Sequence, residues 1–185
     1  TSGKTDMTRI SEFAPATTDK VVDIADTTGS RAEHPVGAAI VNAAGGQYVT
    51  LRTVDQFAAI EGRGIIATVD GVLYHIGSHR FIEEKRLCSP EVERLLVQWE
   101  LEGKTVVELA DSDRAIGIMA VSDVLRATSV AAVQEFQSMG VLCVMLTGDN
   151  PRTAEVIAKR VGIVTVLADL LPCDKLQSVT DLEHS

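Results

Sequence analysis

Thr147-Gly148-Asp149-Asn150 stands between the apolar run Val141–Leu146 and a stretch of helical period. That position gives the four residues a chemistry. A ligand in an open α/β sheet sits beyond the carboxyl ends of the strands. There Thr147 offers a hydroxyl, Gly148 lets the backbone come close, and the helix after Asn150 points free N–H groups at an anion. Asp149 could hold a metal ion or a nucleotide hydroxyl. In isolation the same residues also fit a plain capped turn. Two other motifs precede it, Glu33-His34-Pro35 before Gly37 and an apolar stretch, and Gly62-Arg63-Gly64 where a strand begins. Each alone is weak, because a histidine before proline is usually an ordinary residue and a bare GxG is usually a turn.

Other candidate groups carry less. His75 and His79 have the i, i+4 spacing that suits zinc on a helix, but they fall on a strand end and the turn after it, so no metal-ligand set is assigned. Gly3-Lys4-Thr5 suggests a phosphate-binding loop, yet the first glycine of GxxxxGK[ST], the preceding strand and the following helix pattern are missing. Cys88, Cys143 and Cys173 form an odd, scattered set without a CxxC pair, which fits reduced thiols better than disulfides or a zinc site. The net charge of −9 disfavours nonspecific nucleic-acid binding, so no nucleic-acid partner is expected. It does not exclude a phosphate ligand, which local donors and cations can hold.

The elements that must position these residues follow from periodicity. Val130, Val133, Phe136 and Met139 repeat at helical spacing, and Val141–Leu146 then reads as a strand buried on both faces. Asn150 caps a helix with Pro151 at its first position, Ala154, Ile157 and Val161 inside, and Gly162 at its end. Val164–Leu167 is a further strand, and Pro172 opens a last helix carrying Leu176, Val179 and Leu182. This alternation predicts a parallel sheet wrapped by helices. Upstream, helices are expected near Val21–Thr28 and Val36–Ala44, and strands at Gln47–Leu51, Gly64–Asp70 and Val72–Ile76, with a tight turn at Asp70-Gly71. Ser89 and Pro90 start a helix with Val92, Leu95, Leu96 and Trp99 on one face, and Gly103 ends it. Thr105–Ala110 and Ile116–Val121 form another hairpin. The upstream part is thus an antiparallel sheet with helices, joined to the parallel part near Ser122-Asp123. Aliphatic residues must fill both cores, since the hydrophobic fraction is 45% and the aromatic fraction 4%. No stretch reaches the roughly 18 consecutive apolar residues of a spanning helix, and no cleavable leader opens the chain, so a soluble piece is expected.

Together the motifs resemble the heavy-metal-transporting P-type ATPases. The matching runs are Ala32–Val41 around His34-Pro35, Gly62–Ile65, Gly77-Ser78, Gly103–Val106, Val121–Arg126, Met145–Asn150 and Leu170–Leu176, which contains Leu171-Pro172-Cys173-Asp174-Lys175. The resemblance spans roughly residues 20 to 182. It implies an antiparallel nucleotide-binding domain inserted into a haloacid-dehalogenase-like parallel α/β phosphorylation domain. The implied boundaries are 1–11 for an N-terminal remnant of the phosphorylation domain, 12–122 for the nucleotide-binding domain and 123–185 for a partial phosphorylation domain. It further implies that His34 meets the adenine, that Glu33 belongs to the same nucleotide-binding set, and that Gly62 and Gly64 let the nucleotide lie against the backbone. Gly77 and Ser78 line the same pocket. Thr147 and Lys175 contact the transferring phosphate with Asp149 beside them, and Asp123 and Arg126 fall at the hinge. The cofactors implied are ATP and Mg²⁺. The partners are the membrane and actuator domains of a parent integral membrane pump, with this piece in the cytosol.

The sequence departs from the family in two places. The DKTGT motif with the phosphorylated aspartate is absent. Aligning Thr8 with the last threonine of DKTGTLT puts Ser2 at the nucleophile, while Asp6 keeps only an Asp-x-Thr spacing without a strand before it. The magnesium-binding GDGxND segment is absent too, so the magnesium site is expected to be incomplete. Gly29 stands where many relatives have an acidic residue. The chain is therefore expected to bind nucleotide without completing an ATPase cycle alone. It reads either as a piece of a full pump or as a catalytically silent nucleotide-binding or docking module derived from one. The run Ile76–Phe81 leans toward zinc and cadmium pumps rather than copper pumps.

Overall fold

The computed structural model describes residues 5–13, 16, 18–29, 53–60, 62–123 and 125–183. Six strands form one antiparallel sheet in the order β1-β6-β5-β4-β3-β2. They are β1 (Thr5–Glu12), β2 (Val54–Ile60), β3 (Gly64–Val69), β4 (Val72–Gly77), β5 (Thr105–Ala110) and β6 (Ala115–Asp123). The β3–β4 turn is Asp70-Gly71 with φ of 50° and 77°. Left-handed conformations at both central residues match the right-handed twist of the flanking strands.

Helices cover both faces of this sheet. On one, α1 (Thr18–Gly29) buries Val21, Ile24 and Ala25 against Val69, Ile76, Leu109 and Met119. Gly117 of β6 makes that approach possible, because a Cβ there would stand 2.7 Å from both γ-carbons of Val21. On the other face, α2 (His79–Glu84) and α3 (Pro90–Leu101) place Phe81, Ile82, Val92, Leu96 and Trp99 over Val106, Ile118 and Ala120. Ser89 caps α3 by accepting from the Val92 N–H, and Pro90 occupies its first turn.

The remainder is α4 (Ala127–Ser138), β7 (Val144–Leu146), α5 (Pro151–Val161), β8 (Thr165–Leu167) and α6 (Pro172–Glu183). Strands β7 and β8 pair in parallel, with Met145 opposite Val166. Asn150 caps α5 by accepting from the Thr153 N–H, and Gly162 closes it at φ 88°. Among the described residues no helix is long and apolar enough to cross a membrane.

One expectation needs correction and two lie outside the described residues. Residues 5–11 form most of β1, which pairs with β6, Ile10 opposite Met119. The run Val141–Leu146 is not a long strand buried on both faces. Only Val144–Leu146 is extended, its residues are half-buried, and Leu142 is 76% exposed. A parallel strand is buried on both faces only where neighbours flank it and helices cover both sides, and β7 pairs with β8 alone among the described residues. The helix at Val36–Ala44 and the strand at Gln47–Leu51 lie outside the described residues.

A polar joint ties the two layers. Arg152 donates to the buried Glu100 carboxylate at 2.8 Å, and the Thr153 hydroxyl donates to Lys104 O at 2.8 Å. The Thr105 hydroxyl donates to Asp149 at 3.0 Å, and Arg160 donates to Glu102 O at 2.9 Å. All four contacts join the end of α3 and the start of β5 to α5 or the turn before it.

Candidate nucleotide and phosphate site

The Gly62-Arg63-Gly64 loop connects β2 to β3, with Gly62 at φ 68°. Gly64 pairs with Gly77 across β3 and β4. The two backbones are pressed so close that a Cβ on Gly64 would strike the Ile76 carbonyl oxygen, and one on Gly77 the Arg63 oxygen. The Ser78 N–H donates to that same Arg63 oxygen at 3.1 Å, which ties the Gly77-Ser78 bend to the loop. The Ser78 hydroxyl is used locally, accepting from the Phe81 N–H at 3.4 Å as the cap of α2. Gly62, Gly64, Gly77 and Ser78 therefore lie together as one platform of closely spaced backbone.

The Thr147–Asn150 turn follows β7 and is laced to the segment after β8. Thr147 N–H donates to Leu167 O at 3.0 Å, Leu170 N–H to Thr147 O at 3.1 Å, and Asp169 N–H to Asp149 O at 2.8 Å. A Cβ on Gly148 would lie 3.2 Å from Leu170 O and 4.0 Å from Lys175 Nζ. The carboxyl ends of both parallel strands thus bring Thr147, Gly148 and Lys175 to one place. Asp174 fixes the start of α6 by accepting from the Leu171 N–H at 2.9 Å, which sets the position of Lys175 one residue on.

Asp149 is held on both oxygens. One accepts from the Thr105 hydroxyl at 3.0 Å and the other from the Thr147 hydroxyl at 3.1 Å. It is the turn's internal fastener and takes one of the joint's four contacts. This lone, doubly engaged carboxylate does not make a magnesium site, so no step is assigned to magnesium here.

The platform and the turn face one another. A Cβ on Gly62 would lie 3.0 Å from Leu171 and 3.4 Å from Pro172, and Arg80 of α2 pairs with Asp169 at 3.0 Å. Glu33 and His34 lie outside the described residues. The backbone of Asp123 ends β6 opposite Thr5, and Arg126 takes the N-cap position of α4, as a connection between the layers requires. Asp6 lies within antiparallel β1 with Ser122 opposite, not at the end of a parallel strand beside β7.

A second cluster was not legible from spacing. His79 opens α2, Glu108 lies on β5 directly opposite Gly77, and Cys88 precedes α3. One potential ligand atom from each lies within 4.8 Å of the others. His79 Nδ1 and Glu108 Oε1 are 2.7 Å apart, and the histidine must carry the proton because a carboxylate only accepts. That bond holds the His79 pKa above its ordinary value. Burial and the charge of Glu108 push the Cys88 thiol up to about 12. His75, on β4 beside Phe81, shifts downward because burial disfavours its cation and Lys85 repels it. Period-2 alternation could have put Glu108 on the face of Val106 and Ala110, but nothing in the sequence sets its distance from Cys88.

The family model of the haloacid dehalogenase-like hydrolases matches residues 4–182. "Probable copper-transporting ATPase PacS" of Synechococcus elongatus is 40% identical over 151 residues, 82% of this chain and 20% of that protein. A crystal structure of a zinc-transporting PIB-type ATPase in the E2.Pi state aligns with 98% of this chain and 29% of its own, at 32% identity and TM-score 0.61. The catalytic domain of the CPx-ATPase CopB-B aligns with 98% of this chain and 62% of its own, at TM-score 0.75 and 18% identity, a likeness of fold. The chain spans about a fifth of the length of the curated relatives it matches. With the platform, the turn and the lysine in place, the chain belongs to the haloacid dehalogenase-like hydrolases and, within them, to the heavy-metal P-type ATPases.

Proposed function

We propose that this chain is the cytosolic ATP-binding region of a pump exporting heavy-metal cations, coupled in the intact protein to an aspartyl phosphate. Gly62, Gly64, Gly77 and Ser78 form the surface on which the nucleotide lies, with Glu33 and His34 at its adenine end. Thr147 and Lys175 meet the γ-phosphate. A transferring phosphoryl group needs donors and cations set in advance around its oxygens, and a hydroxyl and an ammonium beside a glycine supply them. The membrane and actuator domains of the pump are the partners in this reading. Copper is the favoured cargo: the 40% identical relative is named for copper, which outweighs the zinc and cadmium lean of Ile76–Phe81 and the zinc pump at 32% identity.

The observation that supports the reading is the Gly64–Gly77 pair, where the β3 and β4 backbones approach too closely for a Cβ on either residue, leaving bare backbone at the strand ends beside Gly62. ATP titration by calorimetry tests it. The chain binds ATP, Gly64→Ala loses binding, and His34→Ala weakens it at least about tenfold. Equal binding by all three proteins refutes the assignment, and His34→Ala stands as the check if Gly64→Ala folds poorly.

A further inference from the structure

We infer that His79, Cys88 and Glu108 form a binding site for a borderline-soft divalent cation of the zinc type, on the face of the sheet that carries α2 and α3. Three observations meet there. The first is ligand chemistry: imidazole, thiolate and carboxylate together suit zinc, whereas magnesium and calcium prefer all-oxygen sets. The second is geometry. The three ligand atoms already lie within 4.8 Å of one another, and tetrahedral ligands around zinc stand roughly 3.3–3.8 Å apart. The third is an unpaired atom: Glu108 is fully buried, and its Oε2 has no hydrogen-bond partner. A carboxylate oxygen buried without a partner is costly, and a cation between the three groups removes that cost.

The surroundings suit an ion that exchanges with solvent. His79 and Cys88 line a cleft of about 300 Å³ with Glu83, Arg86, Ser89, Pro90 and Glu93. Two rim carboxylates against one guanidinium leave the opening acidic. The Cys88 sulfur lies 3.7 Å from the Ser89 carbonyl and already interacts with the Glu108 carboxylate, so the two prospective ligands face each other before an ion enters. The ion takes the place of the proton between His79 Nδ1 and Glu108. The thiol proton leaves to solvent, and the imidazole proton moves to Nε2, which lies 4.0 Å from Glu83 Oε2. A carboxylate there orients the ring, as outer partners of metal-bound histidines do. Thiolate and carboxylate neutralise the ion's two charges, and the cleft leaves a fourth position for water.

The site is independent of the nucleotide reading, and its test needs no nucleotide. The metal-free chain is titrated with Co²⁺ while the thiolate-to-cobalt charge-transfer absorption is followed, then with Zn²⁺ in competition. A 1:1 cobalt band that zinc bleaches is expected. Cys88→Ser abolishes the band, and Glu108→Gln and His79→Asn each weaken binding at least about tenfold. The double variant Cys143→Ser/Cys173→Ser keeps the band, with circular dichroism verifying that every variant is folded. No band in the unsubstituted chain, a band that survives Cys88→Ser, or unchanged affinity in a folded Glu108→Gln overturns the inference.

Discussion

Strands β6 and β7 are both apolar, and the molecule treats them differently. Ile118, Met119 and Ala120 of β6 are inaccessible, flanked by β1 and β5 and covered by helices on both faces. Val144, Met145 and Leu146 of β7 are only half-buried, with Leu142 before them 76% exposed and Val164 before β8 93% exposed. The helices follow suit: α3 buries Val92, Leu96 and Trp99, whereas α6 leaves Leu176 72% exposed. Hydrophobic sequence is thus a statement of what an element will cover if partners are present. It stabilises only in proportion to the area removed from water.

The sharpest way to break this contrast is a pair of truncations read by chemical denaturation. Leu96→Ala is expected to cost about 2–5 kcal/mol, as deep leucine truncations do. Leu142→Ala should stay within about 0.5 kcal/mol. Similar costs for both would mean that the parallel layer is more covered in solution than in the structure.

A smaller effect sharpens how the two layers are joined. Arg152→Ala leaves the buried Glu100 carboxylate without its partner and should cost about 1–3 kcal/mol. Adding Glu100→Gln should recover part of the loss, because burial already holds the Glu100 pKa above its ordinary value. Additive single effects in the double-mutant cycle would show that the contact contributes nothing to the joint.

The smallest expected effect lies within the antiparallel layer, where two histidines titrate in opposite senses. His75 has a folded pKa below 6.5, so its contribution to stability is present above about pH 6.5 and is lost as pH falls toward the folded value. His79, in the metal-free protein, has a folded pKa above 6.5. Its contribution is full below about pH 6.5 and disappears as pH rises through that higher value. Melting temperatures across pH 5 to 8 should therefore diverge, with His75→Asn losing least on the acid side and His79→Asn losing least on the basic side. Parallel curves for the two variants would overturn the assigned shifts.

Most of the architecture could be read before any coordinates, because its signals are local. Asn150-Pro151, Ser89-Pro90, Asp70-Gly71 and Gly162 are caps and turns whose physics lies within a few residues, and each stands where its chemistry puts it. What escaped was set by pairing across distance. Thr5–Glu12 carries no strong strand pattern and is a strand because β6 offers an open edge. Asp149 looks like a ligand-binding carboxylate in sequence and is fastened by Thr105, 44 residues earlier. The meeting of His79, Cys88 and Glu108 depends on the crossing of α2, β5 and the segment before α3, which no periodicity encodes.

The four bonds from Glu100, Glu102, Lys104 and Thr105 to α5 and its preceding turn also have a mechanical consequence. Short polar contacts lose their strength within a fraction of an ångström of misalignment, so a clasp made of several of them has little elastic range. Separating α5 from the end of α3 therefore breaks these bonds rather than stretching them.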